Sequence, residues 1–189
     1  MKLSDYPQLK REILGLPEKE RDRLLLRLIA KDKILTERMH FLLIEGEDSI
    51  GTRVDDLKVH LDEIMEMASG YERSDAGALI KLIRLGMKDI NHFYKVTKSK
   101  YEMLSLKLYF LNVVNLGQLK STFLRSQMKS ELLYKYLIKT TLTIHKSVAT
   151  LHPDLQFDLA ALGEQWLAHL HAYAPKGLAR DLGLIKNWS

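Results

Sequence analysis

Cysteine is absent from the 189 residues. That removes disulfides, thiolate metal sites and thiol nucleophiles, and makes a reducing compartment the natural setting. Proline is scarce: Pro7, Pro17, Pro153 and Pro175 all lie near the ends, so nothing between residues 18 and 152 forces a helix to break. Valine is scarce as well, 6 residues against 36 leucines. Because leucine enters a helix without the χ1 restriction that makes valine a strand former, the balance points to helices. No apolar run reaches the roughly 20 residues that a membrane-spanning helix requires. The most apolar stretch, Met103 to Leu116, is interrupted by Lys107 and Asn112 and reads as a buried helix. The opening residues carry Lys2 and Asp5 rather than an apolar signal region, so a cytoplasmic protein with no membrane attachment is expected. The glycines form no phosphate-cradling loop, and no cofactor is expected.

What the chain does have is amphipathic periodicity over nearly its whole length. Leu9, Ile13 and Leu14 make a short helical face that stops at Gly15 and Pro17. Glu18 and Glu20 then suit the positive end of a helix dipole, and Leu24, Leu25, Leu28 and Ile29 supply a stripe expected to be buried. Asp32 falls on that stripe, which predicts a break near residues 31 to 33 before a helix resumes from Ile34 to Ile44. Val54, Leu57, Leu61, Ile64 and Ala68 recur at intervals of three and four, with Asp55, Asp56, Asp62, Glu63 and Glu66 on other faces. Ser74 is a candidate cap for a helix that runs to about Lys98, with Gly86 tolerated inside it at about 1 kcal/mol. From Tyr101 to Asn115 apolar residues surround the helix, which marks the centre of the fold. A further helix carries Leu119, Phe123, Leu133, Leu137, Ile144 and Val148. Another follows Pro153 with Leu155, Leu159, Leu162, Trp166, Leu170 and Tyr173, and a short terminal segment ending at Trp188 docks on the core. The expectation is one all-α domain over residues 1 to 189, of about seven helices, arranged as an up-and-down or orthogonal bundle.

Charge is unevenly distributed along this pattern. The net of +5 conceals a segment, residues 91 to 150, with ten Lys and Arg against only Glu102 and Glu131, and with eight aromatic residues. Lys135, Lys139 and Lys146 fall within about 40° of one another on an ideal helix, opposite Leu137, Ile144 and Val148. With Lys129 and Arg125 they form a candidate surface for an anionic partner, and the aromatics offer stacking faces to a nucleic acid. The competing reading is a solvated face balanced by the acidic helix 54 to 68.

Three weaker constellations bear on chemistry. Leu16-Pro17-Glu18-Lys19-Glu20-Arg21 is similar to the opening of some helix-turn-helix domains, but no recognition helix with base-reading side chains follows. Glu37-x-x-His40 and Asp89-x-x-His92 have the spacing with which di-iron bundles hold metal. The further inward carboxylates would have to come from Glu63 or Glu66 and from Glu131; the first two lie off the apolar stripe, and Asp89 stands where such sites carry Glu, so no metal is expected. Arg53 and His60 have a spacing that resembles the ribonuclease motif of the small helical bundles called HEPN domains, which implies a phosphate-orienting and proton-moving pair. The reading that covers most of the chain is a non-enzymatic binding or scaffolding module for a protein or polyanion, with either a protein partner or a homo-oligomer expected. A nucleic-acid-binding protein using residues 91 to 150 is the alternative, and an Arg53/His60 ribonuclease is a third.

Overall fold

The computed structural model describes residues 3–69, 76–119 and 127–188. It is 87% helical, with nine α-helices and no strand among the described residues. In chain order the helices are α1 (Pro7–Gly15), α2 (Glu18–Lys31), α3 (Lys33–His40), α4 (Ile50–Ser69), α5 (Ala76–Thr97), α6 (Lys100–Val113), α7 (Gln127–Val148), α8 (Pro153–Tyr173) and α9 (Lys176–Asp181).

The described residues hold nine helices against about seven expected, because the break at Asp32 divides one and a short piece follows α8. Asp32 ends α2 and caps α3, its Oδ1 accepting from the backbone N–H groups of Ile34 (2.9 Å) and Leu35 (3.1 Å). The helix then widens into a π-turn, Phe41–Glu45, which stops at Gly46. Gly46 has φ +75°, a backbone conformation that glycine adopts without strain.

Helix α6 is the hub, as its all-round apolar pattern predicts. Met103, Leu104, Leu106, Leu108, Phe110 and Leu111 are all buried among α4, α5, α7 and α8. Hydrogen bonds from three side chains inside this packing fix the neighbours in register, while the buried Ser130 hydroxyl of α7 has no partner among the described residues. The Asn112 amide donates to the carbonyls of Leu108 (2.9 Å) and Leu162 (3.0 Å), tying α6 to α8. Tyr109 donates its hydroxyl to the Asp62 carboxylate at 2.8 to 2.9 Å, tying α6 to α4. Burial, aided by that carboxylate, pushes the Tyr109 phenol up to about 12. The fully buried Trp166 donates its indole N–H to Thr141 Oγ1 at 2.8 Å, which joins α8 to α7.

Two glycines are set by close approach rather than by backbone angle. A Cβ on Gly86 would run into the Phe110 ring and stand 2.9 Å from Leu61 Cδ2, so α5 can lie on α4 and α6 only without a side chain there. Gly163 likewise makes room for the Trp188 indole, which docks the chain end as expected.

One expectation fails. The α2 stripe is not buried: Leu25 and Leu28 keep 55% and 53% of their surface, Leu24 and Ile29 are half-buried, and neither α1 nor α2 has a buried residue. The main neighbour of α2 is α3, which in turn packs on α5, so residues 3 to 31 form an arm beside the bundle. Leu162, read as mid-stripe, is half-buried, while Leu159, Trp166 and Leu170 of the same helix are buried.

Candidate anion-binding groove

The long helices α5 and α7 pack side by side over α6, each keeping its polar face outward. On α5 that face holds Lys81, Arg84, Lys88, Asn91 and Lys95, all exposed and spaced by three and four. On α7 it holds Lys135 and Lys139. Between the two helices runs a groove of about 440 Å³ lined in part by Arg84 and Asn91 of α5, Lys107 of α6, and Lys135, Tyr136 and Lys139 of α7. Four cations line it and no carboxylate does, among the described residues.

Each cation is placed by a different feature. The Arg84 guanidinium lies 5.1 Å from the centre of the Tyr136 ring, a cation–π contact that holds it over the groove. Lys135 and Lys139 are one turn apart and exposed, because Leu133, Leu137 and Ile138 are buried on the other side of α7. Thr143 donates its hydroxyl back to the Lys139 carbonyl at 2.8 Å. Lys107 comes from the hub helix, partly buried, and burial lowers its pKa. It makes no ion pair with a described residue, and neither do Lys135, Lys139 and Lys146.

Of the residues singled out from sequence, the structure brings Lys135 and Lys139 into the groove. Lys146 and Lys129 are exposed farther along α7, outside its lining, and Arg125 lies outside the described residues. The acidic helix α4 packs on α5 and α6, and three of its carboxylates have local partners, Asp62 in Tyr109, Asp55 in Lys58 and Glu63 in His60. Sequence reasoning missed Arg84 because it counted charge from residue 91 onward. The three-and-four spacing from Lys81 to Lys95 was the available signal. Lys107 belongs to the basic segment 91 to 150 and also interrupts the apolar run of α6, and neither pattern places it beside Lys135 and Lys139.

The aromatics of the basic segment are mostly occupied. Phe93, Phe110 and Tyr134 are buried, Tyr109 is bonded to Asp62, and Lys98 and Arg84 lie over Tyr94 and Tyr136.

A second cleft, of about 390 Å³, gathers Glu37, Arg53, Asp56, His60, Asp89 and His92. Here the carboxylate-x-x-His pairs do not work within their own helices. Glu37 Oε2 lies 2.6 Å from His92 Nε2, Asp89 Oδ2 lies 3.4 Å from His60 Nε2, and His40 Nδ1 turns to Glu45 at 2.8 Å. Arg53 donates to both Glu45 oxygens, at 2.7 and 2.9 Å, and to Glu37 at 3.4 Å. The Arg53 guanidinium holds the Glu45 carboxyl down at about 2. Among the described residues no group of three or more His, Asp or Glu is placed to hold a metal ion, and Glu63, Glu66 and Glu131 are exposed. With its donors committed to two carboxylates, Arg53 has little to offer a phosphate, so these contacts act as a clasp between α3, the π-turn, α4 and α5.

No protein-family model, curated protein or solved structure is significantly similar to this chain. The groove therefore has to be read from its own chemistry. No helix among the described residues is long and apolar enough to cross a membrane.

Proposed function

We propose that the chain is a non-enzymatic binding module and that the groove between α5 and α7 receives a carboxylate-rich segment of a protein partner. The observation that carries this reading is the convergence of Arg84, Lys107, Lys135 and Lys139 on one groove without a lining carboxylate. Like charges held together raise one another's electrostatic energy, and an anion relieves it. The engaged aromatics favour an acidic protein segment over a single-stranded nucleic acid, whose bases need free ring faces for stacking.

A second reading has its own support. From Lys129 to Lys146 the exposed lysines span about 26 Å along α7, long enough to follow several phosphates of a duplex backbone.

Fluorescence anisotropy with an aspartate- and glutamate-rich peptide and with duplex DNA or RNA of equal charge, across a salt series, tests both. Peptide binding that is lost in Lys135→Glu/Lys139→Glu supports the first reading. A steep salt slope with duplex alone moves the function to nucleic acid. Binding of neither at low salt overturns both.

A further inference from the structure

Among the described residues, the apolar face of the amphipathic arm is left largely uncovered. Leu9 and Leu14 of α1 keep 46% and 62% of their surface, and Leu25, Leu26 and Leu28 of α2 keep between 53% and 67%. On an ideal helix Leu24, Leu28, Leu25 and Ile29 share an arc of about 140°, so α2 carries a continuous apolar stripe. An apolar stripe left in water marks a contact surface.

The charges beside the stripe indicate what covers it. Glu20, Arg27 and Lys31 fall within about 40° of one another along one edge, acid toward the N-terminus and base toward the C-terminus. When two such helices pair antiparallel, the same edge of each faces its counterpart. Centring the pair between Leu24 and Leu28 sets Leu24 against Leu28 of the second copy and brings Glu20 beside Lys31 of the second copy at both ends, two attractive pairs against the single like-charge approach of Arg27 to its own copy at the middle. Antiparallel helix dipoles also attract, whereas those of a parallel pair repel, and a parallel pair would turn the Glu20 and Lys31 edge of each helix toward the opposite edge of the other.

We propose that the chain is a homodimer held by an antiparallel α2–α2 contact, a self-complementary interface of the kind that two-fold symmetry requires. The arm stands apart from the groove, so dimerisation leaves Arg84, Lys107, Lys135 and Lys139 open and presents two grooves per particle. Bivalent engagement of a repeated acidic partner follows from that arrangement.

The test is light scattering over a range of protein concentrations, with the full chain. The expected mass is twice the 21.9 kDa of one chain. Leu25→Glu/Leu28→Glu should return it to a single chain with helix content unchanged, because both residues are exposed in the protomer. The charge pairs give an independent reading. Glu20→Lys should weaken association by about tenfold, since the pair occurs twice, and adding Lys31→Glu should restore it. Four outcomes would overturn the proposal. The first is one chain at every concentration. The second is a dimer indifferent to Leu25→Glu/Leu28→Glu. The third is a double charge swap weaker than Glu20→Lys alone, as an effect confined to each helix's own dipole would give. The fourth is a monomer that binds vesicles of anionic phospholipid through Leu25 and Leu28, which would assign the arm to a lipid surface.

Discussion

Helices α2 and α4 carry the same leucine-rich spacing of three and four, yet Leu61 and Ile64 of α4 are fully buried while Leu25 and Leu28 of α2 remain more than half exposed. The difference lies outside either helix. α4 has α5 and α6 to lie on, whereas α2 is held beside the bundle by the Asp32 cap and α3. Periodicity establishes that a face will be covered; it does not say whether the cover comes from the same chain.

Substitution makes the contrast quantitative. Leu61→Ala should cost about 2–5 kcal/mol in a denaturant titration, because truncation leaves a cavity at a site with no exposed surface. Leu25→Ala, measured below the concentration of self-association, should cost less than about 0.5 kcal/mol. Equal losses at the two sites would mean that the arm is packed into the bundle and that the comparison is mistaken.

Glycines divide in the same way. Helix propensity alone makes Gly86→Ala a stabilising change, and that is how the residue reads from sequence. Against the Phe110 ring and Leu61 the added methyl is overpacked, and a loss of about 1–3 kcal/mol is expected instead. Gly51, near the start of α4 with nothing within 4 Å of its missing Cβ, should follow propensity, and Gly51→Ala should gain about 0.4–1 kcal/mol. Thermal melts of the two variants shifted in the same direction would remove packing as the cause.

These cases show where the sequence is informative. The helical class, the central place of residues 103 to 111, the break at Asp32 and the docking of Trp188 all follow from local rules of capping, periodicity and proline placement. Half of the groove was visible too, since the lysine stripe of α7 lies on one helix. Arg84 and Lys107 come from two other helices, and only tertiary packing sets them opposite Lys135 and Lys139. The clasp was hidden for the same reason. Glu37 and His92 are 55 residues apart, and each has a nearer candidate partner three residues away.

The clasp joins α3, which carries the arm, to the bundle, and it should respond to acid. Glu45 is held at about 2 against an ordinary value of 4.5. A carboxylate depressed in this way stabilises the fold fully above pH 4.5, and that contribution disappears as the pH falls toward 2. Hydrogen exchange should therefore show the π-turn loosening in that window before α6 does, and Glu45→Gln should remove the pH dependence. Simultaneous loss of protection in the π-turn and the hub would mean that α3 and the bundle are one cooperative unit.

A further small effect lies at the groove, where burial and function pull against each other. Lys107 is partly buried on the hub helix, its pKa is lowered by that burial, and no described carboxylate compensates it. A base whose folded pKa lies below its unfolded value holds fewer protons when folded, so its contribution improves as the pH rises through the folded value toward 10.5. Retaining a charge there at neutral pH costs stability. Lys107→Met, which keeps the length of the side chain and removes the charge, should accordingly raise stability by about 0.5–1 kcal/mol. The same change should weaken acidic-peptide binding, because one of four converging cations is gone. Stability gained together with affinity lost is the signature of a residue kept for a ligand rather than for the fold. A Lys107→Met variant less stable than the parent would instead make Lys107 part of the packing and leave the anion to Arg84, Lys135 and Lys139.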